Sequence, residues 1–159
     1  MIQDTNIIIK EITGKIDFQE NFTNNKSVKY CLGDNFKMYV LNSARNIDHL
    51  PEMKFSKHQL PTISDKEIME NFFISKLSGL MTREEILCTI IDLTNKQPKG
   101  ENGVLNNYGK ETIIGYMLCV DSIVRVVNIH WNTDDNEWFC RCNNLGCWLT
   151  SCEMLSRNK

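Results

Sequence analysis

The spacing of apolar residues changes twice along the chain and divides it into three parts. Before residue 60 they cluster in short runs rich in Ile, Val, Phe and Tyr, at 7–12, 15–22, 27–32 and 36–41. Turn formers separate the runs at Thr13-Gly14, Asn24-Asn25 and Gly33-Asp34-Asn35. This predicts up to four strands, arranged as N-terminal β-hairpins. Residues 42–63 show no period and contain Pro51 and Pro61, so they read as a long connection.

The middle part carries two helix-start signals. Ser64-Asp65-Lys66-Glu67 sets Ser at the N-cap and Glu three positions on, with Ile63 and Ile68 placed to staple the entry. Thr82-Arg83-Glu84-Glu85 repeats the arrangement, with Met81 and Ile86 as the staple. Ile68, Phe72, Phe73 and Leu77 mark one face of a first helix near 65–78. Ile86, Leu87, Ile90 and Ile91 mark one face of a second near 83–95. Gly79 supplies the break, giving a central αα-hairpin over about 64–95. Residues 96–111 hold three Gly and a Pro among polar residues and predict a loop.

Strand patterning returns at 113–120, 123–131, 137–142 and 147–155, with turns at Asp121-Ser122, 133–136 and 143–146. These runs predict a C-terminal four-stranded antiparallel meander over about 112–155, and the whole an α+β fold with the helices on one sheet face. A hairpin centred on Asp134-Asp135 sets Trp131 opposite Trp138 and Ile129 opposite Cys140. Because side chains alternate along a strand, Val127, Ile129, Trp131, Trp138, Cys140 and Cys142 then share one face, and His130 points to the other. The same reasoning places Cys147 opposite Cys142 and Leu149 opposite Cys140. It also puts Trp148 near solvent beside His130, Phe139 and Arg141. Exposed Trp and Arg are the side chains from which binding hot spots are built, so His130, Phe139, Arg141 and Trp148 are the candidate binding residues.

The seven cysteines change the picture less than their number suggests. An odd count, and an N-terminus with charges on both sides of its isoleucines, argue against a secreted disulfide framework. Buried thiols in a reducing, cytoplasmic compartment are expected. The spacing C-x-C-x4-C-x4-C raises a zinc site, yet only Cys140, Cys142 and Cys147 converge in this register and a fourth ligand is missing. No metal or other cofactor is therefore expected. A cysteine nucleophile needs an adjacent oriented His, and His130 falls on the face opposite Cys140.

Composition narrows the function classes. The 159 residues are 42% hydrophobic and 24% charged, ordinary for one globular domain spanning 1–159. The formal net charge of −2 provides no global attraction for nucleic acid or anionic membrane. No apolar run approaches the ~18 residues of a spanning helix. A helix-turn-helix reading would place Glu84 and Glu85 where base contacts are made, which disfavours DNA. Lys96, Lys99 and Lys110 offer a modest basic patch at most. The expected function is a small binding or protein-interaction module without catalytic activity, acting on a protein partner. The rivals are a small enzyme centred on Cys140, Cys142, Cys147 and His130, and DNA binding through the helical hairpin.

Overall fold

The computed structural model describes residues 2–59, 63–64, 79–105, 108–145, 148–149 and 152–158. Strand predominates over helix in a mixed α/β architecture whose centre is one seven-stranded sheet. The strands are β1 (Ile2–Ile9), β2 (Ile12–Ile16), β3 (Tyr30–Leu32), β4 (Ile47–Leu50), β5 (Met53–Gln59) and β6 (Ile63–Ser64). After the helix α3 (Arg83–Lys96) come β7 (Thr112–Leu118), β8 (Val124–Asn132), β9 (Glu137–Asn144), β10 (Trp148–Leu149) and β11 (Glu153–Arg157). The large sheet runs β1-β5-β11-β7-β8-β9-β3, and β2/β4 and β6/β10 form two small ladders.

This overturns the expected arrangement at both ends. The N-terminal strands do not pair as local hairpins: β1 pairs with β5, β2 with β4, and β3 runs parallel to β9. Two expected strands are helical, as α1 (Phe18–Thr23) and as α2 (Asp34–Phe36) continuing into a π-helical turn (Lys37–Leu41). Asp17 caps α1 by accepting from Glu20 N at 3.1 Å, and Phe18 and Phe22 reach the core four residues apart. Phe36 and Val40 repeat that spacing. The supposed connection at 42–63 holds β4 and β5, because its prolines flank the strands rather than interrupt them.

At the C-terminal end only β7, β8 and β9 form an antiparallel meander. The expected fourth strand is split. Trp148 and Leu149 pair with Ser64 and Ile63, and β11 inserts between β5 and β7, parallel to the latter. Leu149 is therefore not across from Cys140, whose partners are Ile129 and Leu32. The second expected helix is present with its capping box, Thr82 Oγ1 accepting from Glu85 N at 3.1 Å. The first, at 65–78, lies outside the described residues.

The described helices pack on one sheet face. Ile86, Leu87, Ile90 and Leu93 of α3 are buried with Phe18, Phe36 and Val40 against Ile114, Met117, Val127, Ile129, Trp138 and Leu155. Burying each such aliphatic side chain contributes about 1.5–3 kcal/mol. The opposite face carries a smaller cluster of Ile113, Tyr116, Val126, Cys152 and Met154. Among the described residues no helix is long and apolar enough to cross a membrane.

Candidate functional site

The β8–β9 hairpin has the register expected of it. Asn132 fastens the turn, its Oδ1 accepting from Asp134 N at 3.1 Å and its Nδ2 donating to Asp135 at 2.9 Å. Trp131 then lies opposite Trp138, His130 opposite Phe139, Ile129 opposite Cys140 and Asn128 opposite Arg141. Trp131, Ile129, Trp138 and Cys140 enter the core, so Asn128, His130, Phe139 and Arg141 share the second face.

On that second face the side chains form one connected patch. The His130 and Phe139 rings lie 5.3 Å apart, and the Arg141 guanidinium carbon stands 4.8 Å from the Phe139 ring centroid. Glu111, just before β7, accepts from Asn128 Nδ2 at 2.6 Å and from Arg141 Nη1 at 3.1 Å. His130 Nδ1 is 3.9 Å from the same carboxylate, too far for a hydrogen bond. Burial, then the positive charge of Arg141, hold the His130 pKa below its ordinary value, with Glu111 opposing. The ring is thus neutral at pH 7, and its approach to Glu111 is not an ion pair. Two buried polar atoms here have no hydrogen-bond partner, Asn128 Oδ1 and His130 Nδ1. A concavity of about 380 Å³ adjoins the patch, bounded by Phe139 and Arg141 on one side and Asp34 and Asn35 on the other.

The depressed His130 pKa has a testable consequence. The unfolded chain, with a His pKa near 6.5, binds this proton more readily than the folded one. Stability therefore falls as pH drops through 6.5 towards the folded value, and is fully retained above it. Replacing His130 by Gln should flatten the slope of unfolding free energy against pH between about pH 5 and 7. Urea unfolding across that range checks it, and an unchanged slope in the variant contradicts the assignment.

Trp148, the fourth candidate, is not brought to this patch by the expected meander. Its backbone pairs with Ser64, and its side chain lies outside the described part of the structure. Cys147 lies outside the described residues altogether. Cys140 and Cys142 are in the core on the face opposite His130. Burial pushes the Cys142 and Cys88 thiols up to about 12 and raises Cys140 and Cys31 as well, which lowers their thiolate fraction. Among the described residues no group of three or more His, Cys, Asp and Glu side chains is arranged to hold a metal ion.

Glu111 lies in the segment 96–111 that the sequence predicts as loop, and Asn128, as a lone polar strand residue, reads in the sequence as either functional or solvent-facing. Asn128 is 2% exposed, so it does not face solvent. The available signal was its place two residues before His130, on the same side of an apolar strand. A second unforeseen contact lies two strands away, where His58 Nε2 and Ser156 Oγ are 2.5 Å apart across β5 and β11, both half-buried. Comparison of the chain with protein-family models, curated proteins and solved structures finds no match to any of them.

Proposed function

We propose that the chain is a binding module that recognises a protein partner through the outer face of the β8–β9 hairpin. The observation that carries this reading is the pair of buried, unpartnered polar atoms, Asn128 Oδ1 and His130 Nδ1, beside Phe139 and Arg141 on the same face. A buried amide oxygen without a partner costs about 1–3 kcal/mol, which an incoming donor recovers on binding. Phe139 adds apolar contact area, and Arg141, with its side chain 44% exposed, adds a forked donor at the rim. A cytoplasmic setting belongs to the same proposal, supported by the thiols of Cys31, Cys88, Cys119, Cys140 and Cys142.

A photo-crosslinking residue at position 139, compared with one at the exposed Lys54 of β5, tests the reading. The expected result is a discrete adduct from position 139 and none from position 54. Adding Arg141→Ala should abolish that adduct while costing less than about 1 kcal/mol of stability, since the Arg141–Glu111 pair is partly solvated. Equal adducts from both positions, or an adduct indifferent to Arg141, would sink the proposal.

A further inference from the structure

A second concavity, of about 480 Å³, lies at the far end of the β8–β9 hairpin between the turn at 25–29 and the turn at 98–100. We propose that it binds a small phosphate-bearing anion, independently of the outer-face site. Three of its nine lining residues are Lys26, Lys29 and Lys99, and none is acidic. The volume lies within the range of small-molecule sites. A larger cleft at the start of α3, about 690 Å³, makes the contrast. There Arg45, Arg83 and Arg157 line the wall together with Glu84 and Glu85. Arg157 pairs with Glu85, so that cleft supplies a counter-charge of its own, and Glu84 accepts from the backbone N–H of Arg45 at 2.9 Å. In the lysine pocket Lys29 is paired with Glu137 and the Glu101 carboxylate accepts from Lys99 N at 2.8 Å just outside the lining, while the lining itself sets no acidic residue against Lys26 or Lys99.

Both walls are held in place from within the fold. On one side Asn25 Oδ1 accepts from Ser27 N at 2.8 Å and from Val28 N at 3.0 Å, closing the turn that carries Lys26 and Lys29. Lys29 Nζ is itself steered by Asp135 O at 3.3 Å and Glu137 at 3.4 Å. On the other side the buried Gln97 side chain bonds Glu101 O and both backbone groups of Leu105, while the Gln97 backbone carbonyl accepts from Trp138 Nε1 at 2.9 Å. Gly100 follows Lys99 with φ +67°, and a Cβ there would fall 2.3 Å from the Trp131 ring, so the turn lies flat on the indole. Folding thus brings like charges from segments about 70 positions apart into one rigid recess. An anion can be taken up between the two segments without either wall having to move.

The same geometry selects the ligand class. Trp131 forms the floor but is 6% exposed, covered by Gly100 and packed in a T-shaped pair with Trp138 at 5.2 Å. No open ring face is left on which a base could stack, so recognition falls on charge. Lysine ammoniums, as compact point charges, suit phosphoryl oxygens. A free phosphate chain and the phosphate tail of a nucleotide share this chemistry.

Calorimetric titration of the full chain with inorganic pyrophosphate at low salt, and in parallel with ATP, tests the assignment. Saturable binding of pyrophosphate is expected, weakening as salt is raised and about tenfold weaker in K26A/K99A, the effect of removing two partly screened charges. Equal affinity for the two ligands identifies a phosphate-chain site, and tighter ATP binding a nucleotide-phosphate site. Arg141→Ala should leave both titrations unchanged, which separates this site from the protein-binding face. Both lysines are exposed, so the double variant should keep the parent unfolding midpoint. The proposal is overturned if millimolar pyrophosphate gives no saturable heat, if K26A/K99A binds as the parent does, or if a single-stranded oligonucleotide binds where pyrophosphate does not.

Discussion

Replacing Trp138 by alanine should cost about 3–5 kcal/mol of folding stability, a large part of the roughly 5–15 kcal/mol that holds a domain folded. Trp138 is 0% exposed and is the largest fully buried side chain among the described residues. Its ring meets Trp131 at 65° and 5.2 Å, so truncation leaves a cavity and removes an aromatic pair at once. It also strips the carbonyl of Gln97 of its indole donor, at the residue whose side chain closes the loop to Leu105. Trp138→Phe isolates that last effect, since it keeps most of the ring and deletes the donor. A cost of about 1–3 kcal/mol is expected for it. Urea unfolding followed by far-UV circular dichroism measures both variants. Equal costs for the two would mean that the hydrogen bond, and not the volume, is what matters. A loss below about 1 kcal/mol for the alanine variant would refute the account. Because the same loop carries Lys99, Trp138→Phe should also weaken anion capture at the lysine pocket while leaving the outer face of the hairpin unaltered.

The parts of this fold that were legible in the sequence are those whose information is local. The β8–β9 register follows from one polar turn and strict alternation, and α3 follows from Thr82 and Glu85 capping one another. Residues 15–22 were misread because Ile16, Phe18 and Phe22 resemble strand residues by type. The deciding signal was spacing, since Phe18 and Phe22 stand one helical turn apart behind an Asp cap. What local patterning does not contain is the choice of distant partner. Nothing near residue 155 says that the last strand leaves the meander, crosses to β5 and runs parallel to β7. That choice depends on how several half-buried strands share two apolar faces.

The candidate site divides in the same way. His130, Phe139 and Arg141 were placed on one face by counting along two adjacent strands. Glu111, the carboxylate that joins Asn128 to Arg141, arrives from a third segment, and no pattern in the loop before β7 announces it. The lysine pocket was visible only in fragments. In the sequence Lys99 belongs only to a modest basic patch with Lys96 and Lys110, and Lys26 and Lys29 come from a turn that only the packed fold sets against it.

Replacing Lys57 by methionine should destabilise the chain by about 3–5 kcal/mol, whereas changing Lys57 and Glu153 together to Met and Leu should cost far less. Lys57 Nζ and Glu153 Oε2 are 2.8 Å apart, with side chains only 13% and 9% exposed. The ammonium also donates to Val104 O at 2.7 Å. The pair sits at the seam of the sheet. On one side β11 follows β5 through five register pairs, and on the other it meets β7 through only two, one of them Glu153 with Thr112. Methionine at 57 leaves a carboxylate enclosed, and the strand beside it carries a Thr112 hydroxyl that is itself buried without a partner. Desolvating an unpaired carboxylate is the dominant cost, so removing the second charge abolishes most of it. The double substitution still loses the bond to Val104 O, which sets a residual cost of about 1 kcal/mol. A double-mutant cycle by urea unfolding reads the coupling directly. Coupling below about 1 kcal/mol would show that water reaches the pair and that β11 is held in place by backbone pairing alone. Coupling of several kcal/mol would make the ion pair a register device, because slipping β11 by one residue would carry Glu153 to the opposite face and away from Lys57.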